Sequence, residues 1–271
     1  MEAPDSILAI DIGNSSIHAG CFVDIPTMTG GRQPPLPAPV VSQAWTSEGP
    51  VPNDPMPPNA VTMNTVWVVA SVNRAGLQRV RQWHDSVAPS CPFIVLARDA
   101  FSLAIDVRHP DRVGIDRLAA ATAANRLRPK GRSAVVVDAG TAITVDALDS
   151  RGCFLGGAIL PGVGLMARSL STWTDQLPLV ECDLGNQSAP AIGKQTVEAI
   201  RGGITWGIRG AVRALAQQIQ TELGDTESPI FVTGGSGRHL TSGWPSATFI
   251  PQLTLAGVVI AYLETASRPG T

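Results

Sequence analysis

The chain has 271 residues, 44% of them hydrophobic and 15% charged, enough for one large or two medium folded domains and too apolar for disorder along its length. Lys plus Arg number 20 against 22 for Asp plus Glu, and no basic run could follow a phosphate backbone, so nucleic acid is not an expected partner. The four cysteines, Cys21, Cys91, Cys153 and Cys182, form no CxxC pair, which argues against zinc sites, thioredoxin-like chemistry and a disulfide framework and for a reducing compartment.

The opening MEAPDSILAID places two acids and a proline before a short apolar run, unlike an export signal, which needs a basic start and a longer apolar stretch. No segment approaches the roughly 18 uninterrupted apolar residues of a spanning helix. The expected location is the cytoplasm, with no membrane association. Residues 7–23, ILAIDIGNSSIHAGCFV, read as two strands joined by a tight Asp-Gly-Asn turn, a β-hairpin. Ten prolines then fall at 26, 34, 35, 37, 39, 50, 52, 55, 57 and 58, a density regular structure cannot accept because proline lacks an amide donor. Residues 26–60 are therefore expected to be a long, mobile surface insertion, within which Val40–Trp45 can form a short edge strand.

TVWVVASV (65–72) predicts a buried strand, LQRVRQWHD (77–85) a helix and FIVLA (93–97) another strand. Strands alternating with helices indicate an α/β layer. DRLAAATAANRL (116–127) is rich in alanine and leucine and begins at an aspartate suited to capping, so it predicts a helix that Gly131 punctuates. From Ser133 the pattern restarts: SAVVVDAGTAITVDAL (133–148) is again strand, Asp-Gly-Thr turn and strand. Downstream, GGAILPGVGLMARSL (156–170) predicts a loop, residues 197–223 a long helix, PIFVTGG (229–235) a strand ending in glycines, and LAGVVIAYLETA (255–266) a closing helix.

The paired hairpins carry Asp11-Ile12-Gly13-Asn14-Ser15 and Asp138-Ala139-Gly140-Thr141-Ala142, 127 positions apart (138 minus 11). One such turn is an ordinary hairpin connection; the same turn twice is harder to attribute to chance. Glycine lets backbone amides approach phosphate, the Asn, Ser and Thr side chains add donors, and the carboxylate can hold a metal ion or its water shell. Two such turns facing each other would clamp a triphosphate. Thr233-Gly234-Gly235-Ser236-Gly237, after a strand, suits a nucleotide-facing loop.

Duplicated phosphate turns followed by a late glycine turn resemble the actin, sugar kinase and Hsp70 superfamily, and within it the pattern is most similar to type III pantothenate kinases. The first turn matches that family's DxGN(T/S), the second its DxGTA, and Gly114-Ile115-Asp116-Arg117 its GxDR. Gly156 to Gly162, Leu177-Pro178 and Ile192-Gly193-Lys194-Gln195-Thr196 follow in family order. The resemblance implies two actin-like (ribonuclease H-like) α/β domains, 1–130 and 131–271, with ATP in the interdomain cleft. It implies ATP-dependent phosphorylation of pantothenate to 4'-phosphopantothenate, the first step of coenzyme A biosynthesis.

By the same resemblance, Asp116 accepts the proton of the substrate hydroxyl and Gly114, Ile115 and Arg117 help to bind pantothenate, a guanidinium being able to grip its carboxylate with two parallel bonds. Asp11, Ile12, Gly13, Asn14, Ser15 and Ser16 would meet ATP in the first domain, and Gly140, Thr141, Ala142, Gly234 and Gly235 in the second. Asp11 would position Mg2+, and Asp138 would help bind K+ or NH4+. Thr196 matches a threonine that reaches the substrate from the partner subunit, which implies a homodimer. Read without the resemblance, Asp116 and Thr196 both suit helix N-caps.

Two departures stand out. Many relatives carry a pocket tyrosine where this chain has Val107, the sole tyrosine being Tyr262, and some place a lysine where His18 stands. His18, His84, His109 and His239 show no metal-ligand spacing. Trp67, Trp83, Trp173 and Trp206 are expected as core or interface anchors. The alternatives to a pantothenate kinase are a kinase for another small hydroxy acid or sugar and a regulatory relative that has lost catalysis.

Overall fold

The computed structural model describes residues 4–23, 35–52, 64–185 and 189–267. Two parts of the expected proline-rich insertion, 24–34 and 53–63, lie outside the described residues. The chain gathers into two compact units, Met1–Leu127 with Gln252–Thr271, and Arg128–Pro251. The division expected at 130/131 differs from this at its C-terminal end, where the last twenty residues return to the first unit.

In the first unit, β1 (Ser6–Ile12) and β2 (Ser16–Val23) pair antiparallel with Asp11 opposite His18. The apolar residues of both strands are almost wholly buried, so the hairpin is core and not surface. β3 (Val41–Thr46) adds an antiparallel edge to β2, at the place the sequence allowed for one. β4 (Thr65–Ser71) runs parallel to β1, bringing Ala70 beside Asp11. α1 (Arg74–Val87) starts after Asn73, whose side-chain oxygen accepts from Gly76 N at 3.0 Å, satisfying one of the amides that a helix N-terminus leaves unpaired. β5 (Phe93–Val95) closes the sheet in the order β3-β2-β1-β4-β5. Two short 3-10 turns lead to α2 (Ile115–Leu127), whose alanines are buried along 118–124. Trp67 and Trp83 meet edge to face with centroids 4.9 Å apart, core anchors as expected.

In the second unit, β6 (Ala134–Ala139), β7 (Ala142–Leu148) and β8 (Phe154–Pro161) form an antiparallel meander. They are followed by α3 (Val163–Thr172) and α4 (Thr196–Glu222). β9 (Ile230–Thr233) lies parallel to β6, then come α5 (Gly237–Thr241) and β10 (Ala247–Phe249), which is parallel to β9. The sheet order β10-β9-β6-β7-β8 repeats the connectivity of the first sheet strand for strand. Asp11 and Asp138 each occupy the last position but one of the central strand. The repeated turn thus belongs to a repeated sheet.

The loop expected over 156–170 is instead the end of β8 and most of α3. Its glycines disguise a strand: a Cβ on Gly157 would lie 2.0 Å from Val145 O, so β8 approaches β7 only without a side chain there. On α4, Ile200, Ile204, Ile208, Val212 and Ala216 recur every four residues and bury one stripe against the sheet.

Before β6, Arg132 donates to Asp225 twice, Nη2 to Oδ1 at 2.6 Å and Nε to Oδ2 at 3.0 Å, and Ser133 N adds a third bond at 3.0 Å. The Arg132 contact above all holds the Asp225 carboxyl below its ordinary value. The folded carboxyl titrates lower than the unfolded one, so its stabilisation is complete above the ordinary carboxylate range and is lost as pH falls from there through the lowered folded value. Asp225→Asn is expected to lower the thermal midpoint at pH 7, with the gap to wild type closing as the pH falls below the ordinary carboxylate range; a constant gap across an acid series of melting curves would exclude this origin.

The chain ends in α6 (Leu253–Ala266), buried continuously from Leu253 to Ala261. A helix apolar all round needs partners on several sides, and α6 packs against α2, β1 and β4 of the first unit. Gly257 makes the α2 crossing possible, since a Cβ there would stand 1.8 Å from Ala119 O. Among the described residues no helix is long and apolar enough to cross a membrane.

Candidate functional site

The first turn is held by its carbonyls. Gly13 N donates to Ser16 O at 2.9 Å, closing the hairpin. Gly13 O accepts from Ser47 Oγ at 3.0 Å and from Asn73 Nδ2 at 3.4 Å, and Asn14 O accepts from the same Asn73 amide at 3.4 Å. Ser15 O accepts from Ser47 N at 2.9 Å. Asn14 and Ser15 are exposed at the tip, while Asp11 is half-buried in the strand below. With the carbonyls occupied by protein donors, the turn is suited to present amides to an anion. Ser47 and Asn73 were not singled out in the sequence; an asparagine between a strand and a helix is a recognisable cap signal, whereas Ser47 carried none.

His18 lies on β2 opposite Asp11, with its Nε2 3.2 Å from Ser16 Oγ. Burial pushes its imidazole below the ordinary value, so it is neutral at neutral pH. No phosphate-pairing cation is supplied at this position.

The GxDR segment belongs to the same corner of the first unit. Val72 N donates to Ile12 O at 3.0 Å, and Val72 Cγ1 stands 3.8 Å from the position a Cβ on Gly114 would take. Val72 therefore lies beside both the end of β1, where the first turn begins, and the approach to α2. Arg98 Nε donates to Val113 O at 3.0 Å and holds the approach to the segment. A Cβ at Gly114 would meet Asp116 Oδ1 at 2.3 Å, so a side chain there would displace the carboxylate. Asp116 is inside the first turn of α2, and its Oδ1 accepts from Arg117 N at 2.8 Å. Ile115, Asp116 and Arg117 are all partly exposed, which leaves the carboxylate accessible to a substrate.

In the second unit the corresponding turn is bounded by glycines from two other segments. Gly140 N donates to Ala142 O at 3.1 Å, and Gly162 N, at the start of α3, donates to Thr141 O at 3.0 Å. A Cβ on Gly162 would be 2.4 Å from Gly140 O. Gly234 has φ +86° and would place a Cβ 2.5 Å from Asp138 Oδ1 and 2.6 Å from Ala139 N. Two constraints, handedness and space, thus require glycine at 234. Ser236 N donates to Ala139 O at 3.1 Å, and Gly235 is exposed. The late glycine turn therefore seats directly on the second acidic turn.

The donor set fits the implied magnesium ion. Among the described residues no group of three or more His, Cys, Asp or Glu side chains gathers to form a protein-only metal cage. Magnesium in ATP sites commonly takes one or two carboxylates, phosphate oxygens and water, a role open to Asp11.

Thr196 is the first residue of α4 and exposed; the cap position is Gln195. Glu198 closes the helix start by accepting from Lys194 N at 2.9 Å and Gln195 Nε2 at 3.1 Å, which leaves the Thr196 hydroxyl out of the capping. On the same unit Trp173 is 83% and Ile192 84% exposed, and Trp206 is about half exposed while donating to Ala189 O at 3.1 Å.

The family model of type III pantothenate kinases matches residues 7–218. A type III pantothenate kinase of Dehalococcoides mccartyi (strain ATCC BAA-2266 / KCTC 15142 / 195) is 30% identical over 265 residues, covering 95% of this chain and 97% of that one. One from Legionella pneumophila (strain Paris) is 32% identical over 266 residues, covering 94% and 97%. Among solved structures, a conserved Campylobacter jejuni protein assigned to the Baf family of transcriptional activators aligns with a TM-score of 0.57 at 22% identity over 96% of this chain and 98% of its own. A 2-dehydro-3-deoxygalactonokinase-type protein of Sinorhizobium meliloti aligns at 0.56 with 13% identity over 96% and 99%. These last two are similar in fold.

Proposed function

The chain belongs to the type III pantothenate kinase family, and from that premise we propose how its residues divide the transfer of the ATP γ-phosphate to the primary hydroxyl of pantothenate, the first step of coenzyme A biosynthesis. Asp116 accepts the hydroxyl proton as the alcohol oxygen attacks the γ-phosphorus, and the bond from that phosphorus to ADP breaks. Arg117 pairs with the pantothenate carboxylate, and Gly114 with Ile115 leaves room for the chain of the acid. The amides of 14–16 meet the phosphates in the first unit, and Gly140 to Ala142 with Gly234 and Gly235 meet the same nucleotide in the second. Asp11 orients the Mg2+ carried by ATP, and Asp138 contributes to a K+ or NH4+ site; these cations neutralise charge on the phosphates. The protein's share is positioning and proton acceptance.

The observation that carries this reading is the shared corner in the first unit, where Val72 links the phosphate turn to the segment bearing Asp116. A base belongs beside the phosphoryl group whose acceptor it prepares. In the homodimer part of the proposal, a second copy covers the exposed Trp173 and Ile192 and receives Thr196 near its substrate, which sedimentation of the purified chain would test by its mass.

The direct test is ADP release coupled to a spectrophotometric readout, with MgATP and pantothenate, with and without K+. ADP formation that needs pantothenate and rises with K+ or NH4+ is expected. Turnover only with a different hydroxy acid or sugar would overturn the substrate, a point given weight by Val107 in place of the relatives' tyrosine. Tight MgATP binding with no turnover on any acceptor would indicate a regulatory protein.

A further inference from the structure

The central part of the proline-rich segment has no share in the roles above, yet it reaches the first phosphate turn. After β3 the chain bends at Ser47–Gly49, where Gly49 N donates to Thr46 O at 3.1 Å. Ser47 is only 4% exposed, and all its polar atoms are engaged. Its Oγ donates to Gly13 O at 3.0 Å and its N to Ser15 O at 2.9 Å. On the far side, Arg79 of α1 donates from Nη1 to Ser47 O and from Nη2 to Gly49 O. The order of contact is helix, guanidinium, bend, serine, phosphate turn.

A trans peptide is planar, so fixing its carbonyl aims its amide the opposite way. Holding Gly13 O fixes Asn14 N–H, and holding Ser15 O fixes Ser16 N–H. Without Ser47, only the longer 3.4 Å bonds from Asn73 Nδ2 restrain the Gly13–Asn14 plane, which lies next to a glycine with wide backbone freedom and can then turn a carbonyl dipole toward the phosphates. We propose that Ser47, anchored by Arg79, is a positioning residue for ATP, and that this portion of the proline-rich segment serves to orient the first phosphate turn. The inference rests on the reading that the turn binds ATP phosphates.

Three variants test it. Ser47→Ala deletes one buried donor and is expected to raise the Kd for MgATP about fivefold, the effect of one hydrogen bond, with the KM for pantothenate unchanged. Arg79→Ala removes the anchor on Ser47 O and Gly49 O while leaving the Ser47 side chain in place, and is expected to weaken MgATP binding in the same direction. Arg79→Lys keeps the charge, but one ammonium cannot bridge two carbonyls as a guanidinium fork does, so it should behave as Arg79→Ala. Amide exchange over 13–16 should quicken in all three. Unchanged MgATP affinity and exchange in Ser47→Ala and Arg79→Ala would overturn the inference, as would equal losses toward both substrates. Wild-type affinity in Arg79→Lys would assign the effect to charge and also overturn it. A wild-type protein without pantothenate turnover would instead sink the functional reading, and the exchange measurement would still judge the brace.

Discussion

Asp116→Asn is expected to lower kcat roughly 100- to 10,000-fold, the usual span for a lost general base, with the fold and the MgATP affinity retained. The substitution is close to isosteric, and its remaining Oδ1 can still accept from Arg117 N, the contact that spans 2.8 Å in the native chain. Gly114 still offers the space that the side chain at 116 occupies. What disappears is basicity: a neutral amide cannot take the hydroxyl proton of pantothenate. Steady-state kinetics beside a melting curve separate the two consequences. Undiminished kcat would remove Asp116 from the role, and a collapsed melting transition would show that it supports the start of α2.

Gly257→Ala is the substitution expected to cost most in stability. The new methyl would stand 1.8 Å from Ala119 O and 2.5 Å from Ala119 C, and both are backbone atoms that no rotamer change can withdraw. The helices α2 and α6 would have to separate, opening a seam between two almost fully buried surfaces. Forced overpacking of this kind costs about 3 kcal/mol, which for a chain of this size lowers the melting midpoint by about 6 to 12 °C. Because α2 carries Asp116 at its N-terminal end, activity should fall with stability. A melting midpoint within a degree of wild type would mean that the two helices are not in such close contact.

Much of this architecture was legible in the chain because the signals are local. Apolar runs on both sides of an Asp-x-Gly turn predict hairpins wherever the rest of the chain lies, and both predicted hairpins are present. The alanine-rich stretch after Asp116 forms α2, and the four-residue stripe of isoleucines and valine forms α4. Where composition misled, a tertiary contact was the reason. Gly156 and Gly157 read as loop residues, yet Gly156 has φ +90°, a left-handed conformation, and at Gly157 β8 runs too close to β7 for a side chain.

The brace of the first turn was illegible for a different reason. Ser47 lies 34 residues from Gly13 and Asn73 lies 60 from it, and no periodicity links residues so far apart. The same holds for Gly162 and Gly234, which converge on the second turn from α3 and β9.

The duplicated acidic turns, the helix bearing Asp116 and the family to which they point are written in neighbouring residues, whose turn and helix preferences act over a few positions. Which residues hold those turns still, and that the last helix packs with the first unit, follow from contacts between distant parts of the chain. Such choices depend on which buried surfaces and hydrogen-bonding groups meet once the chain has folded, and only packing in three dimensions selects among them.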